Sequence, residues 1–521
     1  MNDLRETLIR NRTRLIVLAV LAFLFISATQ GMETDEWMIT VLRGLAVGAV
    51  TFLVASGLSL ILGLMDVLNL AHGEMFMIGA YVGWTIYVRP DTFVDVIPPL
   101  ALLSVGLALA PLWRFLVARV SVSDRLARLW PWLVLVGAVA VLYLTFARFP
   151  IARWDPGVYT ESPISYSLAL SQGLLTPPAA PGFEGISPLA AMIGTVVGGM
   201  LLGLALAGFS ARRGLTATAR LPGRALAIAG LLLVVGAAVY WTNTPLTEWL
   251  FDLNTTYRFF LAMAVATLVG LILGALVEIT MIRPLYARPI YQLMITLGLS
   301  FIGIEVVRAV WGRPEFTVPK PALFGGSGEG CPAEGLAALL ENQCSTVLLF
   351  GSRVRTYNEI FIILVGLVVL VAVWLLLQRT RIGMIIRAGV QDREMVEALG
   401  INVRRVFTFV FALGVALAAL GGILAAPSMG LSPSMGTQLL LLALIALAIG
   451  GLTSFPGAAA GAVLVGLLQQ FIIKYGQIGI DLPFLAEPFK PSPPLVPAST
   501  VLLMVIILLI LPQGLFGRAE H

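Results

Sequence analysis

Long apolar runs separated by short polar segments recur along this chain. Runs of about 20 residues can cross a hydrocarbon layer of about 30 Å as helices, and they lack the alternation of barrel strands. The pattern predicts an all-α, polytopic integral membrane protein with about 12–14 transmembrane helices. The predicted spans are residues 40–63, 69–87, 96–114, 130–147, 188–208, 225–241, 257–281, 290–311, 358–378, 405–427, 437–452, 457–474 and 499–512.

A further apolar run, LIVLAVLAFLFISATQG, follows four arginines near the N-terminus: Arg5, Arg10, Arg12 and Arg14. It could be a cleaved signal peptide. The absence of a clear A-x-A site and the next helix close behind favour an uncleaved first helix, which makes about 14 segments in all.

The loop charges give these helices a direction. Arginines cluster in alternate loops, whereas the intervening loops are acidic, aromatic or rich in Pro and Gly. Since basic loops stay in the cytoplasm, we expect both termini there and long external loops at residues 148–187, 312–357 and 475–498.

Composition supports a membrane protein and narrows its chemistry. The chain is 59% hydrophobic and 12% charged, against roughly half and a quarter in soluble domains. Its net charge of +5 comes from the loop arginines, so no nucleic-acid partner is expected. Lys320, Lys474 and Lys490 are the only lysines, and none lies in a GxxxxGK[ST] phosphate loop, so any nucleotide must bind another chain. No HExxH or CxxC occurs, and no metal or other cofactor is expected.

Two cysteines, Cys331 and Cys344, share the second long external loop. A disulfide is plausible in an oxidising compartment. The alternative is a pair of free thiols.

The first candidate site is MDVLNLAHGEMF, residues 65–76, where Asp66, Asn69, His72 and Glu74 interrupt apolar sequence. Polar groups at membrane depth are costly and usually face a cavity, a partner or the interface. The alternative is an ordinary cytoplasmic loop whose polar residues face water. There, His72 or Glu74 could cap a helix end.

The second candidate site, residues 447–465, is an apolar run broken by small residues and a proline. Such breaks free backbone groups that can line a path, or they form a tight turn for close helix packing. The residues concerned are Gly450, Gly451, Ser454, Pro456 and Gly457.

The third candidate site, residues 381–411, is a long charged stretch in a cytoplasmic loop. Asp392 is a suitable N-cap and Gly400 a suitable helix stop. Between them Met395, Val396 and Leu399 are expected to form one apolar stripe. The short amphipathic helix suits either a protein groove or the lipid surface.

Together these stretches resemble the permeases of high-affinity branched-chain amino-acid ATP-binding-cassette (ABC) importers, the LivH type, whose broad family includes urea and short-chain amide permeases. The resemblance rests on GLSLILGLMDVLNLAHGEMFMIGAYVG (57–83), EITMIRPLYARPIYQLMITLGLSFIG (278–303), RIGMIIRAGVQDREMVEALGIN (381–402) and the glycine-rich block at 443–465.

The resemblance implies a permease subunit, not an enzyme, in a bacterial inner membrane. It implies four kinds of partner: a second permease of the LivM type, two ABC ATPase subunits, a periplasmic substrate-binding protein and the lipid bilayer. The third stretch would be the helix that couples to the ATPase. The coupling residues would be Arg387, Asp392, Met395, Val396, Leu399, Gly400 and Ile401. The substrate path or its brace would be Asn69, His72, Gly73, Glu74, Gly450, Gly451, Ser454, Pro456 and Gly457.

The chain is longer than such permeases. We therefore expect an extra N-terminal helix at 1–37, a permease core at 38–87 and 258–521 with a coupling loop at 379–405, and an inserted transmembrane bundle at 88–257.

Two other classes of function compete with this interpretation. A stand-alone secondary transporter needs acidic residues in mid-span, but Glu278 and Glu305 have Arg283 and Arg308 close by. A membrane enzyme needs clustered nucleophiles or ligands, and the only histidines are His72 and His521. The path residues suit a small zwitterionic or neutral solute with an apolar part, such as leucine, isoleucine, valine, urea or a short amide.

Overall fold

The computed structural model consists almost entirely of helices. It describes residues 31–119, 124–151, 182–183, 185–212, 223–286, 288–312, 315, 317–349, 351–391, 393–481 and 487–517, with five positions between 16 and 23. Within these ranges, ten helices are long and apolar enough to cross a membrane, and two apolar helices are shorter. The prediction of an all-α polytopic membrane protein is confirmed. Most of the expected first helix lies outside the described residues.

The chain divides into two compact units. Unit 1 contains the described residues up to Trp84 and from Thr255 onward, and unit 2 those from Thr85 to Asn254. The helices that belong wholly or mainly to unit 1 are α1 (Thr34–Met65), α2 (His72–Val88), α9 (Thr255–Val277), α10 (Pro289–Trp311), α11 (Leu336–Asn342), α12 (Ile362–Arg379), α13 (Arg381–Gln391), α14 (Arg393–Ala398), α15 (Val403–Met429), α16 (Met435–Gly450), α17 (Phe455–Ile478) and α18 (Leu495–Ile510).

Two wide π-type turns extend long helices of unit 1. Glu278–Ile282 continues α9, and Thr356–Phe361 leads into α12. Short 3-10 turns occupy Arg283–Leu285 and Ala322–Phe324.

Unit 2 is a smaller helical bundle. Its helices are α3 (Pro90–Ala108), α4 (Ala110–Val117), α5 (Asp124–Thr145), α6 (Pro188–Arg212), α7 (Gly223–Trp241) and α8 (Asn243–Asp252), with a 3-10 turn at Phe146–Arg148. The span expected at 96–114 lies within the candidate membrane span Pro90–Val117, which Leu109 interrupts between α3 and α4. Inside the unit, buried Arg89 forms a forked ion pair with Asp91, with Nη2 2.7 Å from Oδ2.

Small residues let the core helices of unit 1 pack closely. A Cβ added to Gly57 of α1 would lie 2.4 Å from the Gly414 carbonyl oxygen of α15, and one on Gly79 of α2 would lie 2.3 Å from the Cα of Ala419. Backbones in such contact are typical of helices that associate in lipid, where van der Waals packing replaces the hydrophobic drive. This packing buries most of α1 and α15.

The second loop that the charges predict to be external, at residues 312–357, contains a small domain that the apolar pattern did not predict, called here the external loop domain. Strands β1 (Thr346–Leu349) and β2 (Ser352–Arg355) pair antiparallel, with Val347 opposite Val354. Both valines are buried around Cys344, which forms a disulfide with Cys331. The domain is attached to α1, because the Ser352 hydroxyl donates to Asp35 at 2.8 Å.

Candidate functional site

The polar segment before α2 is an irregular turn in which Asn69 is the capping residue. Asp66 ends α1 in the left-handed conformation, with φ of 52°. The Asn69 side-chain oxygen accepts a hydrogen bond from the Ala71 N–H at 3.1 Å. This corrects the alternative in which His72 or Glu74 caps a helix, because both side chains point into neighbouring helices instead.

The start of α2 lies beside the middle of its neighbours. The Leu70 N–H donates to the Thr296 hydroxyl of α10 at 3.3 Å. The His72 ring lies 2.8 Å from where a Cβ on Gly57 would be, and Gly57 is well inside α1. Residues 66–71 therefore run back along α1 before α2 begins.

Three polar residues of this segment are almost fully buried. Asn69 and His72 have no exposed surface, and Glu74 is 1% exposed. The His72 ring nitrogens make no hydrogen bond of normal geometry, although the Val54 backbone lies close to the ring. These burials contradict the alternative of a loop whose polar residues face water for Asn69, His72 and Glu74, whereas Asp66 is exposed.

The first turn of α2 crosses the first turn of α16. A Cβ on Gly73 would lie 2.2 Å from the Gly436 carbonyl oxygen, so the two backbones touch. One residue further along, Glu74 Oε1 accepts a hydrogen bond from the Thr437 hydroxyl at 3.1 Å. The Glu74 stem faces Gly303 of α10.

The second candidate set lies at the other end of α16. Ser454 caps α17, since its hydroxyl oxygen accepts from the Gly457 N–H at 3.1 Å, and Pro456 lies in the first turn of that helix. A Cβ on Gly450 would lie 1.9 Å from the Gly457 carbonyl oxygen, and Gly451 has a φ of +112°. These residues form a tight turn, about 20 Å along α16 from Gly436.

The loop expected to couple to an ATPase contains two short helices, α13 and α14, and α14 lies where a short helix was expected between Asp392 and Gly400. Val396 of α14 is 3% exposed and packs against Val403 and Phe407 of α15. Met395 is 59% exposed and Leu399 is 72% exposed. The expected single stripe is wrong, because adjacent positions 395 and 396 point about 100° apart on a helix: Val396 faces inward and the other two outward.

The rest of this region has simple local geometry. Gly400 ends α14 with a φ of +79°. The half-buried Ile401 donates its N–H to the Val396 carbonyl at 3.3 Å. Exposed Arg387 donates to the Gln378 side-chain oxygen. Asp392 lies outside the described residues.

Both acidic residues considered for a secondary transporter are in ion pairs. Buried Glu278 accepts from Arg283 Nη2 at 2.8 Å, from the Thr408 hydroxyl at 2.8 Å and from the Tyr286 hydroxyl. Exposed Glu305 pairs with Arg308 at 2.6 Å.

Sequence reasoning missed Thr296, Gly303, Gly436 and Thr437. They come from helices far along the chain, and the signal available in the sequence is weak. Thr437 and Gln438 are polar residues at the start of an otherwise apolar helix.

In the external loop domain, partial burial lowers the pKa of the Lys320 ammonium group, and the nearby charge of Arg355 lowers it further.

Comparison with known proteins extends the picture. The family model described as the permease component of the branched-chain amino acid transport system matches residues 40–170 and 223–511. The LivH permease of Escherichia coli (strain K12) is 26% identical over 235 residues, which is 45% of this chain and 66% of the relative. The BraD permease of Pseudomonas aeruginosa is 30% identical over 168 residues, 32% of this chain and 50% of the relative.

A third relative has a different printed substrate. The fructose import permease FruF of Bifidobacterium longum is 24% identical over 277 residues, 50% of this chain and 66% of the relative. In each of these three pairs the match covers just under two thirds of the relative's length or less. No solved structure matches this chain.

Proposed function

Since this chain belongs to the family of branched-chain amino acid transport permease components, we propose that it forms the translocation path of an ABC importer for branched-chain amino acids. The chain is a multi-pass membrane protein, and its family is one of permeases, not of enzymes. In the proposal it lies in a bacterial inner membrane with both termini in the cytoplasm. It assembles there with a second permease, two ATPase subunits and a periplasmic substrate-binding protein.

The observation that carries the coupling part of the proposal is an exposed apolar pair, Met395 on α14 and Leu399 just beyond its end, whose N–H donates to the Met395 carbonyl at 3.1 Å. Met395 and Leu399 are one helical turn apart, so they share a face. Neighbouring positions 393, 394 and 397 are charged, so this face belongs to a polar loop rather than a lipid-facing span. An apolar pair in such a loop fits a groove on a protein partner, here the ATPase subunit.

The anchoring of α14 makes it a suitable lever. Val396 holds α14 to the N-terminal end of α15 through Val403 and Phe407. Further along, α15 packs on α1 and α2 through glycines. A displacement of α14 by an ATPase would therefore act on the helices that surround Glu74.

We expect Leu399→Asp to uncouple transport from ATP hydrolysis, because a carboxylate would be buried in the ATPase groove. Leucine uptake into proteoliposomes that contain the whole transporter should fall at least about tenfold, since an uncompensated buried charge costs several kcal/mol. ATP hydrolysis should continue without stimulation by substrate-loaded binding protein.

The matched control is Leu340→Asp, a 57% exposed leucine on α11 of the external loop domain. It should fold and transport like the unmodified chain. Normal ATP-driven uptake by the Leu399→Asp variant would refute the coupling role.

The substrate is the finer part of the proposal. The LivH and BraD relatives favour branched-chain amino acids, and FruF makes a sugar a second candidate. Urea and short amides are the further alternatives within the broad family. The binding protein that co-purifies with the permease in mild detergent should bind leucine, isoleucine or valine. Recovery of a binding protein that takes only fructose or urea would replace the substrate assignment. Recovery of this chain without ATPases would favour a secondary transporter.

We also propose that residues 88–257 are a bundle inserted into the permease core. The division into units supports this, since the unit boundaries lie between Trp84 and Thr85 and between Asn254 and Thr255.

A further inference from the structure

Glu74 has an unsatisfied oxygen in a buried position. Its Oε1 accepts from Thr437, whereas Oε2 is buried and has no hydrogen-bond partner in the described part of the chain. Among the described residues, no lysine, arginine or histidine forms an ion pair with Glu74. A buried carboxylate in this situation is unstable unless something supplies the missing positive charge.

Another buried carboxylate of the same unit, Glu278, finds all its partners within this chain. Glu278 has both oxygens occupied, by an arginine, a tyrosine and a threonine. The described part of the chain therefore supplies hydrogen-bond partners for both oxygens of Glu278 but for only one oxygen of Glu74. Ionisable groups within a transmembrane region that lack such partners are characteristic of binding sites.

The surroundings of Glu74 are backbone and small side chains. The residues around it include Gly73, Gly303 and Gly436; they carry no side chain, but the Gly73 and Gly436 backbones are in contact. Thr437 covers the carboxylate and is itself exposed, as is Gln438 beside it. The carboxylate therefore lies one side chain beneath the surface of this chain. Because α2 and α16 are in backbone contact here, access for a ligand requires α16 to shift relative to α2.

We propose that Glu74 binds the ammonium group of the transported substrate through Oε2, with Thr437 holding the other oxygen in place. This inference rests on the proposed function and narrows it to solutes that carry a protonated amine. Branched-chain amino acids supply that charge, together with three N–H donors. Fructose, urea and short amides are uncharged and cannot complete the site.

The first test measures binding without transport. Since the two native cysteines are disulfide-bonded, Gln438→Cys provides a single reactive thiol next to the site. The purified permease with its ATPase partners is labelled with a maleimide in the presence of 3-methylbutylamine or 4-methylpentanoate, which resemble leucine without its carboxylate or without its amine. The amine should slow labelling about threefold at twice its Kd, and the carboxylate should not.

The protection should disappear when Glu74→Gln is added to Gln438→Cys. Equal slowing by both compounds, or none by the amine, would overturn the assignment. The comparison of the amine with the carboxylate is made in Gln438→Cys, which keeps Glu74. It therefore stays informative even if the Glu74→Gln variant fails to fold.

The second test measures uptake. In proteoliposomes Glu74→Gln should reduce leucine uptake at least about tenfold, as expected for loss of a charge-assisted hydrogen bond. Glu305→Gln, which removes the same charge from an exposed ion pair on α10, should leave uptake unchanged. If the wild-type protein takes up leucine and the Glu74→Gln variant takes it up at the same rate, the proposed role of Glu74 is overturned. Absence of leucine uptake by the wild type overturns the proposed substrate instead, while the labelling test still decides whether Glu74 binds amines.

Discussion

At the scale of single residues, the glycines at the α2–α16 crossing have a strict steric role. A methyl group on Gly73 would lie 2.2 Å from the Gly436 carbonyl oxygen, which is backbone and cannot rotate away. We expect Gly73→Ala to destabilise the protein by about 1–3 kcal/mol, the usual cost of overpacking. The measurement is the Tm of the detergent-purified chain.

The control for this prediction is Gly298→Ala, in the interior of α10. Nothing lies within 4 Å of a Cβ at that position, so the alanine should raise helix stability by about 0.5–1 kcal/mol. If both variants melt at the same temperature, the close crossing does not limit stability.

The sequence singled out four polar residues near α2, of which Asn69, His72 and Glu74 are buried, and it offered His72 or Glu74 as a possible cap where Asn69 holds the turn. Burial of Asn69, His72 and Glu74 follows from the cost of exposing them to lipid, which the composition already indicated. The capping role of Asn69 depends on where helix α2 begins, and the partners of Glu74 come from α10 and α16. A one-dimensional pattern contains no distance between such helices.

At the scale of elements, the external loop domain depends on its disulfide. The bond closes a loop with a sequence separation of 13 residues, and removing such a bond costs about 3 kcal/mol. We expect Cys331→Ser with Cys344→Ser to speed proteolysis within residues 312–357 by at least about tenfold, since that free energy limits local opening. Two cysteines should become alkylated only after reduction. Alkylation of the untreated chain would contradict the bond.

The span predictions succeeded where an apolar run alone defines a helix, as for α15, expected at 405–427 and found at Val403–Met429. They failed where tertiary contacts decide. The span expected at 69–87 begins later, at His72 of α2, because residues 69–71 form the turn before that helix. In α14, Val396 points away from Met395 because α15 offers an apolar surface there. The β-hairpin was missed because its strands are only four residues long and lie in a loop between the apolar runs.

At the scale of the whole molecule, the arginine distribution predicts which ends of the helices face the cytoplasm. In a chain without native cysteines, Leu340→Cys should react with a membrane-impermeant maleimide in intact spheroplasts. Leu399→Cys should react only after lysis, because basic loops remain inside. Both positions are exposed on the protein, so lack of labelling at either one means that the membrane, and not burial, keeps the maleimide out. Labelling of Leu399→Cys in intact spheroplasts would reverse the orientation.

The contact between Glu74 and Thr437 joins residues that are 363 positions apart in the chain. At synthesis rates of about 5–20 residues per second, α16 leaves the ribosome about 20–70 s after α2. For most of that time the nascent chain carries the His72 imidazole and the Glu74 carboxylate while α15 and α16 have not yet been made. The final burial of these two side chains therefore waits for helices from the last quarter of the chain.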